Sequence, residues 1–390
     1  MRFAARLDRI EPSMTLAMNA RAQELRKEGV EVTSLAAGEP DFPTPEFVRK
    51  AAIEAIQENF TRYTPVAGIP ELRAAAGRYF ERHYGAQVGP ECIIMGAGGK
   101  NCLYTFMQTV LNPGDEVLIP SPYWVSYPDM ALLAGATPVL VPAGPESGYK
   151  VTSDMLEAKR TAATRLLVLN SPCNPTGAVY SESELAAIMR WALERRIFVL
   201  SDEIYDQLVY RPAKMASAIS WFHEEPALVA VVNGLSKSFA MTGWRVGFLA
   251  GQPELIKKMS MLQGHSLSNI CSIAQKAALA ALTGPEECVE EMRAAFERRR
   301  DLAMKIISGW SRAICPRPAG AFYLFVDVAG YYGSGISNSV DFCAYLLEKA
   351  HVAAVPGAAF GDDRCFRIAY AVGDDTLERA LLAIGNVLPA

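Results

Sequence analysis

The chain has 390 residues, 51% of them hydrophobic and 21% charged, a balance that excludes a disordered chain and allows a large core with room for two domains. A formal charge of -4 and a pI near 5.8 exclude the basic field of a nucleic-acid or anionic-membrane binder and leave a small molecule as the expected partner. The eight cysteines are scattered without a Cys-x-x-Cys pair or a histidine at ligand spacing, so no metal site is expected. No apolar run is long enough for a membrane span, and Asp8 and Glu11 among the early arginines argue against a secretory leader; a cytoplasmic protein with reduced thiols is the expectation.

In chain order, apolar residues at helical spacing run from about Pro12 to Lys27, followed by the strand-like Glu31–Leu35 and the turn Gly38–Pro43. The glycine there serves turn geometry or close backbone approach. Thr44 reads as a cap and Pro45 as the first residue of a helix ending near Asn59. Residues 61–73 form a loop, with Tyr63 on it, that leads into a helix to about Tyr84.

Strand and helix then alternate, as in a doubly wound sheet. Cys92–Met95 runs into Gly96-Ala-Gly-Gly-Lys100, with helical periodicity from Asn101 to Leu111. A glycine-rich strand-to-helix turn exposes backbone N–H groups to a phosphate, although this one fits neither the Walker nor the dinucleotide pattern. Glu116–Ile119 ends near Trp124, whose indole is either core or a platform for a flat ring. Leu166–Leu169 runs into Asn170–Gly177, which contains Asn174; Ile197–Leu200 runs into Ser201–Tyr205; Leu228–Val232 runs into Gly234–Gly247. Carboxyl ends of strands line the crevice in such sheets, so Asn174, Asp202, Tyr205 and Lys237 are expected to converge, although an Asp after a strand is more often a helix cap.

Lys237 is either an ordinary loop lysine or an amine held neutral to attack a carbonyl. Arg245, eight residues on and beyond Thr242-Gly243, suits an anion such as a phosphate. Lysine for a carbonyl and arginine for a phosphate point to pyridoxal phosphate. Further along, the segment Gln263–Asn269 contains His265, which by itself reads as a solvated loop residue; a long charged helix carries Arg298-Arg-Arg300, read as a solvated face. Gly320–Val326 and Cys365–Tyr370 read as strands and Ser339–Lys349 as a helix, so the C-terminal part is α+β and expected to pack with the N-terminal segment.

The unbroken stretch Gly234-Leu-Ser-Lys-Ser-Phe-Ala-Met-Thr-Gly-Trp-Arg-Val-Gly247 resembles the lysine signature of class I aminotransferases, fold type I of the pyridoxal-phosphate enzymes, and the resemblance extends along essentially the whole chain. It implies an α/β fold: a large cofactor domain (46–294) with a mainly parallel doubly wound sheet, and a small α+β domain from both termini (1–45 and 295–390). It implies a homodimer, with Tyr63 reaching the partner's cofactor phosphate and Gln263–Asn269 at the subunit contact. Lys237 would carry the cofactor and shuttle the proton; Asp202 would hold the ring nitrogen protonated, and Tyr205 and Asn174 would donate to the phenolate oxygen. Ser236, Arg245 and the backbone of Gly98, Gly99 and Lys100 would hold the phosphate, where Gly234 replaces a serine of some relatives. Arg367 would clamp the substrate carboxylate with Gly38, Trp124 and Asn174, although alone it reads as a strand-edge arginine.

The likeness is closest to the bacterial branch of aspartate and aspartate/prephenate aminotransferases, where Lys100 and Thr15 occupy positions that serve dicarboxylates. L-Aspartate with 2-oxoglutarate as acceptor is therefore the expected pair, with prephenate as an additional substrate. The alternatives are an aminotransferase for alanine, aromatic amino acids or kynurenine, a pyridoxal-phosphate C–S lyase, and a cofactor-sensing regulator. Lys100 argues against the first, and the retained Lys237 and Arg367 against the last.

Overall fold

The structure is a computed structural model that describes residues 3–10, 14–224, 228–333 and 335–389, excluding the side chains of 14–17 and 19. The N-terminal part contributes α1 (Met14–Lys27), β1 (Thr33–Ser34), α2 (Glu46–Gln57) and α3 (Pro70–Tyr84). Pro70, which has no N–H to waste, opens α3, and Gly85 closes it at φ 69°, the left-handed geometry that glycine adopts without cost.

The alternating region gives β2 (Ile93–Gly96), α4 (Gly99–Val110), β3 (Glu116–Ser121), α5 (Ser126–Leu133), β4 (Thr137–Pro142), α6 (Ser153–Glu157), β5 (Thr164–Asn170), α7 (Glu182–Glu194), β6 (Phe198–Asp202), β7 (Val229–Gly234) and β8 (Gly247–Ala250). These strands form one seven-stranded sheet in the order β2-β8-β7-β6-β5-β3-β4. All neighbours run parallel except β8, which is antiparallel to β2 and β7. The central strands are short runs rich in Val and Leu and largely buried on both faces, as a sheet covered by helices requires. Because β5, β6 and β7 are parallel neighbours in register, Asn170 lies beside Asp202 and Asp202 beside Val232. Three consecutive carboxyl ends thus open on one crevice.

The C-terminal part adds α8 (Pro253–Gly264), α9 (Ser272–Thr283), α10 (Glu287–Ile307), β9 (Tyr323–Asp327), α11 (Ser339–Lys349), β10 (Val352–Ala353), β11 (Val355–Pro356), β12 (Cys365–Ala369) and α12 (Asp374–Val387). Strands β11, β12 and β9 make an antiparallel sheet. The N-terminal β1 pairs in parallel with β10, so the chain's two ends share structure. Among the described residues no helix is long and apolar enough to cross a membrane.

Two local expectations are corrected. Thr44 does not cap α2: its hydroxyl donates to the Ala240 carbonyl at 2.7 Å and accepts from the Trp244 indole at 3.0 Å, and the helix starts after Pro45 without a side-chain cap. The run Arg298–Arg300 is not a solvated face. Arg299 and Arg300 are buried; Arg299 binds both oxygens of Asp41, at 2.7 and 3.0 Å, and Asp374 at 2.8 Å, because carboxylates from two distant segments meet it where α10 crosses them. Four strands, β4, β8, β10 and β11, went unread in the sequence; β8 begins within the lysine stretch itself.

Candidate active site

A cavity of about 560 Å3 opens at the carboxyl ends of β5, β6 and β7, between the large sheet and the small one. Gly38, Gly99, Lys100, Trp124, Asn174, Asp202, Tyr205, Ser236, Lys237, Arg245 and Arg367 all line it. Gly98 lies just behind the wall, at the N-cap of α4. Tyr63 is outside the cavity and 91% exposed. Thr15 falls in α1, and its side chain lies outside the described residues.

Lys237 follows β7 by three residues, and its ammonium donates to the Gly38 carbonyl at 2.6 Å. Burial pulls its pKa down to about 8; Glu39 opposes that shift, Arg367 and Arg245 add to it, and Asp202 opposes it. An amine so placed is neutral in a usable fraction near physiological pH. Asp202, at the end of β6, is pushed up to about 6 by burial, against the hydrogen bonds from Tyr127 and the Ile204 N–H and the charge of Lys237. Tyr127 donates to its Oδ2 at 2.7 Å and the Ile204 N–H reaches Oδ1 at 3.3 Å. The carboxyl is therefore poised to take its charge when a cation is placed against it.

Two guanidiniums stand apart in the cavity wall. Arg245 has φ 55°, unusual for a non-glycine residue, and this turn sends its side chain to the Thr242 and Ala97 carbonyls at 3.0 and 3.1 Å. It lies against the glycine turn: a Cβ on Gly98, where φ is +86°, would come within 2.6 Å of Arg245 Nη2. The first N–H groups of α4 have no carbonyl of their own helix to bind, so arginine and helix start form one corner of a kind suited to an anion. Arg367 comes from the small sheet. Only 3% exposed, it donates to Asn174 Oδ1 at 2.9 Å and the Ala36 carbonyl at 2.8 Å, while its Nε has no partner. A buried guanidinium in the cavity wall suits a carboxylate arriving there.

Lys100 sits over the Trp124 ring, its ammonium 4.7 Å from the centroid, and burial followed by the charge of Arg245 lowers its pKa. The indole thus carries a cation at its face. Among the wall residues that sequence reasoning missed are Asn170, Tyr127, Tyr323 and Phe360. Asn170 was legible as the last residue of a strand, like Asp202; it donates to the Asp202 carbonyl at 2.9 Å and accepts from the Asn174 N–H at 2.8 Å. Tyr127 lies one helical turn after Trp124, whereas nothing local marks Tyr323 or Phe360.

Comparison with known proteins gives the same reading at the level of family. The family described as aminotransferase class I and II matches residues 30–384. The aspartate/prephenate aminotransferase of Cereibacter sphaeroides is 45% identical, over 97% of this chain and 96% of that protein, and an aspartate aminotransferase of a Bacillus species is 43% identical over 97% of each. Among solved structures, the aspartate aminotransferase from Thermus thermophilus with maleate superposes at a TM-score of 0.94, with 42% identity and complete coverage of both chains. That from Rhizobium meliloti gives 0.96 with 40% identity, over 100% of this chain and 99% of the other. With the fold, the crevice and the full-length match in agreement, the chain belongs to the class I and II aminotransferases.

Proposed function

We propose that this enzyme is a pyridoxal-phosphate-dependent aspartate aminotransferase that passes the amino group of L-aspartate to 2-oxoglutarate and also accepts prephenate. The observation that carries the reading is Lys237, an amine lowered to about 8 that shares one cavity with Asp202, Arg245 and Arg367. The cavity falls within the size range of small-molecule sites. The cofactor's groups match its donors: a phosphate for Arg245, Ser236 and the N–H groups of Gly99 and Lys100 behind Gly98, a ring nitrogen for Asp202, and a phenolate oxygen for Tyr205 and Asn174. The Trp124 indole, which lines the same cavity, would flank the ring.

Pyridoxal phosphate supplies the electron sink for the pair left when an amino acid loses its α-proton. The protein's part is binding and proton movement. Lys237 would hold the cofactor and, as a free amine, would take the proton from the substrate α-carbon and give it back at the cofactor's C4′ carbon. Asp202, once ionised, would hold the cofactor's ring nitrogen protonated. The Arg367 guanidinium would fork the α-carboxylate, with Asn174, Trp124 and the Gly38 backbone around it. Lys100 is assigned to the distal carboxylate, which favours dicarboxylic substrates over alanine, and Thr15 is proposed to assist it.

We also assign residues 46–294 to a large cofactor-binding domain and residues 1–45 with 295–390 to a small one. A homodimer completes the site, the partner's Tyr63 reaching the phosphate. Its support is the 91% exposure of Tyr63 and the half-exposed Ile53, Ile56 and Met261, apolar surface of the kind a second copy covers. The compartment proposed is the cytoplasm.

The test is absorbance of the protein loaded with pyridoxal phosphate. The expected result is a visible band that Lys237→Ala lacks, that L-aspartate removes and that L-alanine barely changes. A band removed better by alanine would overturn the substrate assignment; no band at all would overturn the cofactor assignment.

A further inference from the structure

Tyr323 is a wall residue that the assignments above leave without a task. It lies on β9 opposite Ala369 of β12, while Arg367 lies opposite Phe325. The side-chain period of two puts Tyr323 and Arg367 on one face as diagonal neighbours, close enough for a large ring to reach across. The Arg367 guanidinium stands 4.5 Å from the centre of the Tyr323 ring and 4.9 Å from that of Phe360. At the other end of the same side chain, the Tyr323 hydroxyl lies 2.8 Å from the Tyr205 hydroxyl. Gly38 closes the space above it: a Cβ there would come within 2.8 Å of the Tyr323 oxygen. The side chain is 1% exposed, so it has little freedom to leave either contact.

Counting protons gives the pair a direction. Burial raises the pKa of both phenols, so each keeps its single hydrogen at neutral pH, and only one hydrogen can lie between the two oxygens. If Tyr205 gives its hydrogen to Tyr323, it has none for a ligand. If Tyr323 gives its hydrogen to Tyr205, the Tyr205 hydrogen is free to point into the cavity, and accepting one bond strengthens the one it donates.

We propose that Tyr323 is a positioning residue with two ends: its hydroxyl donates to Tyr205 and thereby aims and strengthens the Tyr205 O–H toward the cofactor's phenolate oxygen, while its ring fixes the Arg367 guanidinium for the substrate carboxylate. This rests on the reading under Proposed function. One side chain then ties the cofactor's electronics to the carboxylate clamp, and Gly38, whose carbonyl also holds Lys237, packs on it.

The two ends separate by substitution. Tyr323→Phe keeps the ring and removes the donor; Tyr323→Leu removes both. The protein is loaded with pyridoxal phosphate and its visible band titrated with pH, and the dissociation constant of succinate, an unreactive dicarboxylate, is measured by calorimetry. A donor to the phenolate oxygen stabilises the deprotonated form of the lysine-bound cofactor, so weakening it moves the titration midpoint up. The expected rise for Tyr323→Phe is about 0.1–0.7 unit, from a 10–30% weakening of a bond to a charged oxygen. Succinate affinity should stay within about twofold of wild type in Tyr323→Phe and fall roughly 2- to 30-fold in Tyr323→Leu, the range of a desolvated cation–π contact.

An unchanged midpoint in Tyr323→Phe overturns the hydroxyl end, and equal succinate losses in the two variants overturn the ring end. Tyr323→Phe, being isosteric, keeps the hydroxyl claim testable should the leucine variant not fold. A wild type without any pH-dependent band instead refutes the cofactor reading on which the proposal rests.

Discussion

The ion-pair cluster at Arg299 gives the strongest handle on how the cavity is held together. Arg299 is 8% exposed, whereas Asp41 and Asp374 keep 29% and 52% of their surfaces. Removing one partner of a fully buried pair costs about 3–5 kcal/mol; since both carboxylates retain water, we expect about 2–3 kcal/mol for Arg299→Met, which keeps the packing against Phe42 and Phe296. At roughly 2.1 cal/mol/K of unfolding entropy per residue, that lowers Tm by about 3 °C if the chain unfolds as one unit. Asp41→Asn and the double variant complete a cycle whose coupling should be about 1–3 kcal/mol. Asp41 is also three residues from Gly38, the acceptor for Lys237. Loosening that turn takes the acceptor from the ammonium and lowers the Lys237 pKa further, read from the pH dependence of its reaction with an amine-selective reagent in cofactor-free protein. Calorimetry showing less than about 1 °C of change in both single variants refutes the energetic argument; a lowered Tm with an unchanged Lys237 titration refutes the positioning argument.

Other outcomes follow from the same geometry. The folded-state pKa of Lys237, about 8 against 10.5, means the unfolded chain holds that proton more tightly, so cofactor-free protein gains stability as pH rises from about 8 to 10.5. Lys237→Met should remove that gain and be about 2–3 kcal/mol more stable than wild type at pH 7, seen in urea melts at the two pH values; equal slopes count against the lowered amine. Tyr127→Phe takes a donor from Asp202 and raises its pKa above about 6, so cofactor affinity should begin to fall at a higher pH on acidification, measured by fluorescence titration; an unmoved limb excludes Asp202 as the titrating group. Gly98→Ala sets a Cβ within 2.6 Å of Arg245 at a φ of +86°, a conformation that costs roughly 1–3 kcal/mol for other residues; pyridoxal phosphate should bind about tenfold more weakly or worse, and equilibrium dialysis giving wild-type affinity contradicts the cradle.

What was legible in the sequence was what a single strand or turn carries. Asp202, Lys237 and the glycine turn before α4 each end or follow an apolar run; parallel neighbours in register bring the ends of β5, β6 and β7 together, and β2 reaches the same end because the antiparallel β8 lies between it and β7. Strand β8 was hidden because its residues, Gly247–Ala250, close a stretch whose chemistry already had a reading, and four residues are too few to show a period. The wrong readings share another cause. The Arg298–Arg300 run looked solvated because a charge run states nothing about partners 258 residues away in Asp41 or 75 residues away in Asp374, and Thr44 looked like a cap because its neighbour is proline, while its real partners, Ala240 and Trp244, lie about 200 residues on. Those long-range bonds run from the turn after Gly38 to the lysine stretch and to α10. The turn is thus tied at Thr44 to the segment carrying Lys237 and at Asp41 to the helix leading into the small sheet, and Gly38 at its start accepts from the amine. A residue-by-residue reading can name Gly38 as a turn, but its place at that junction exists only once the three segments are folded together.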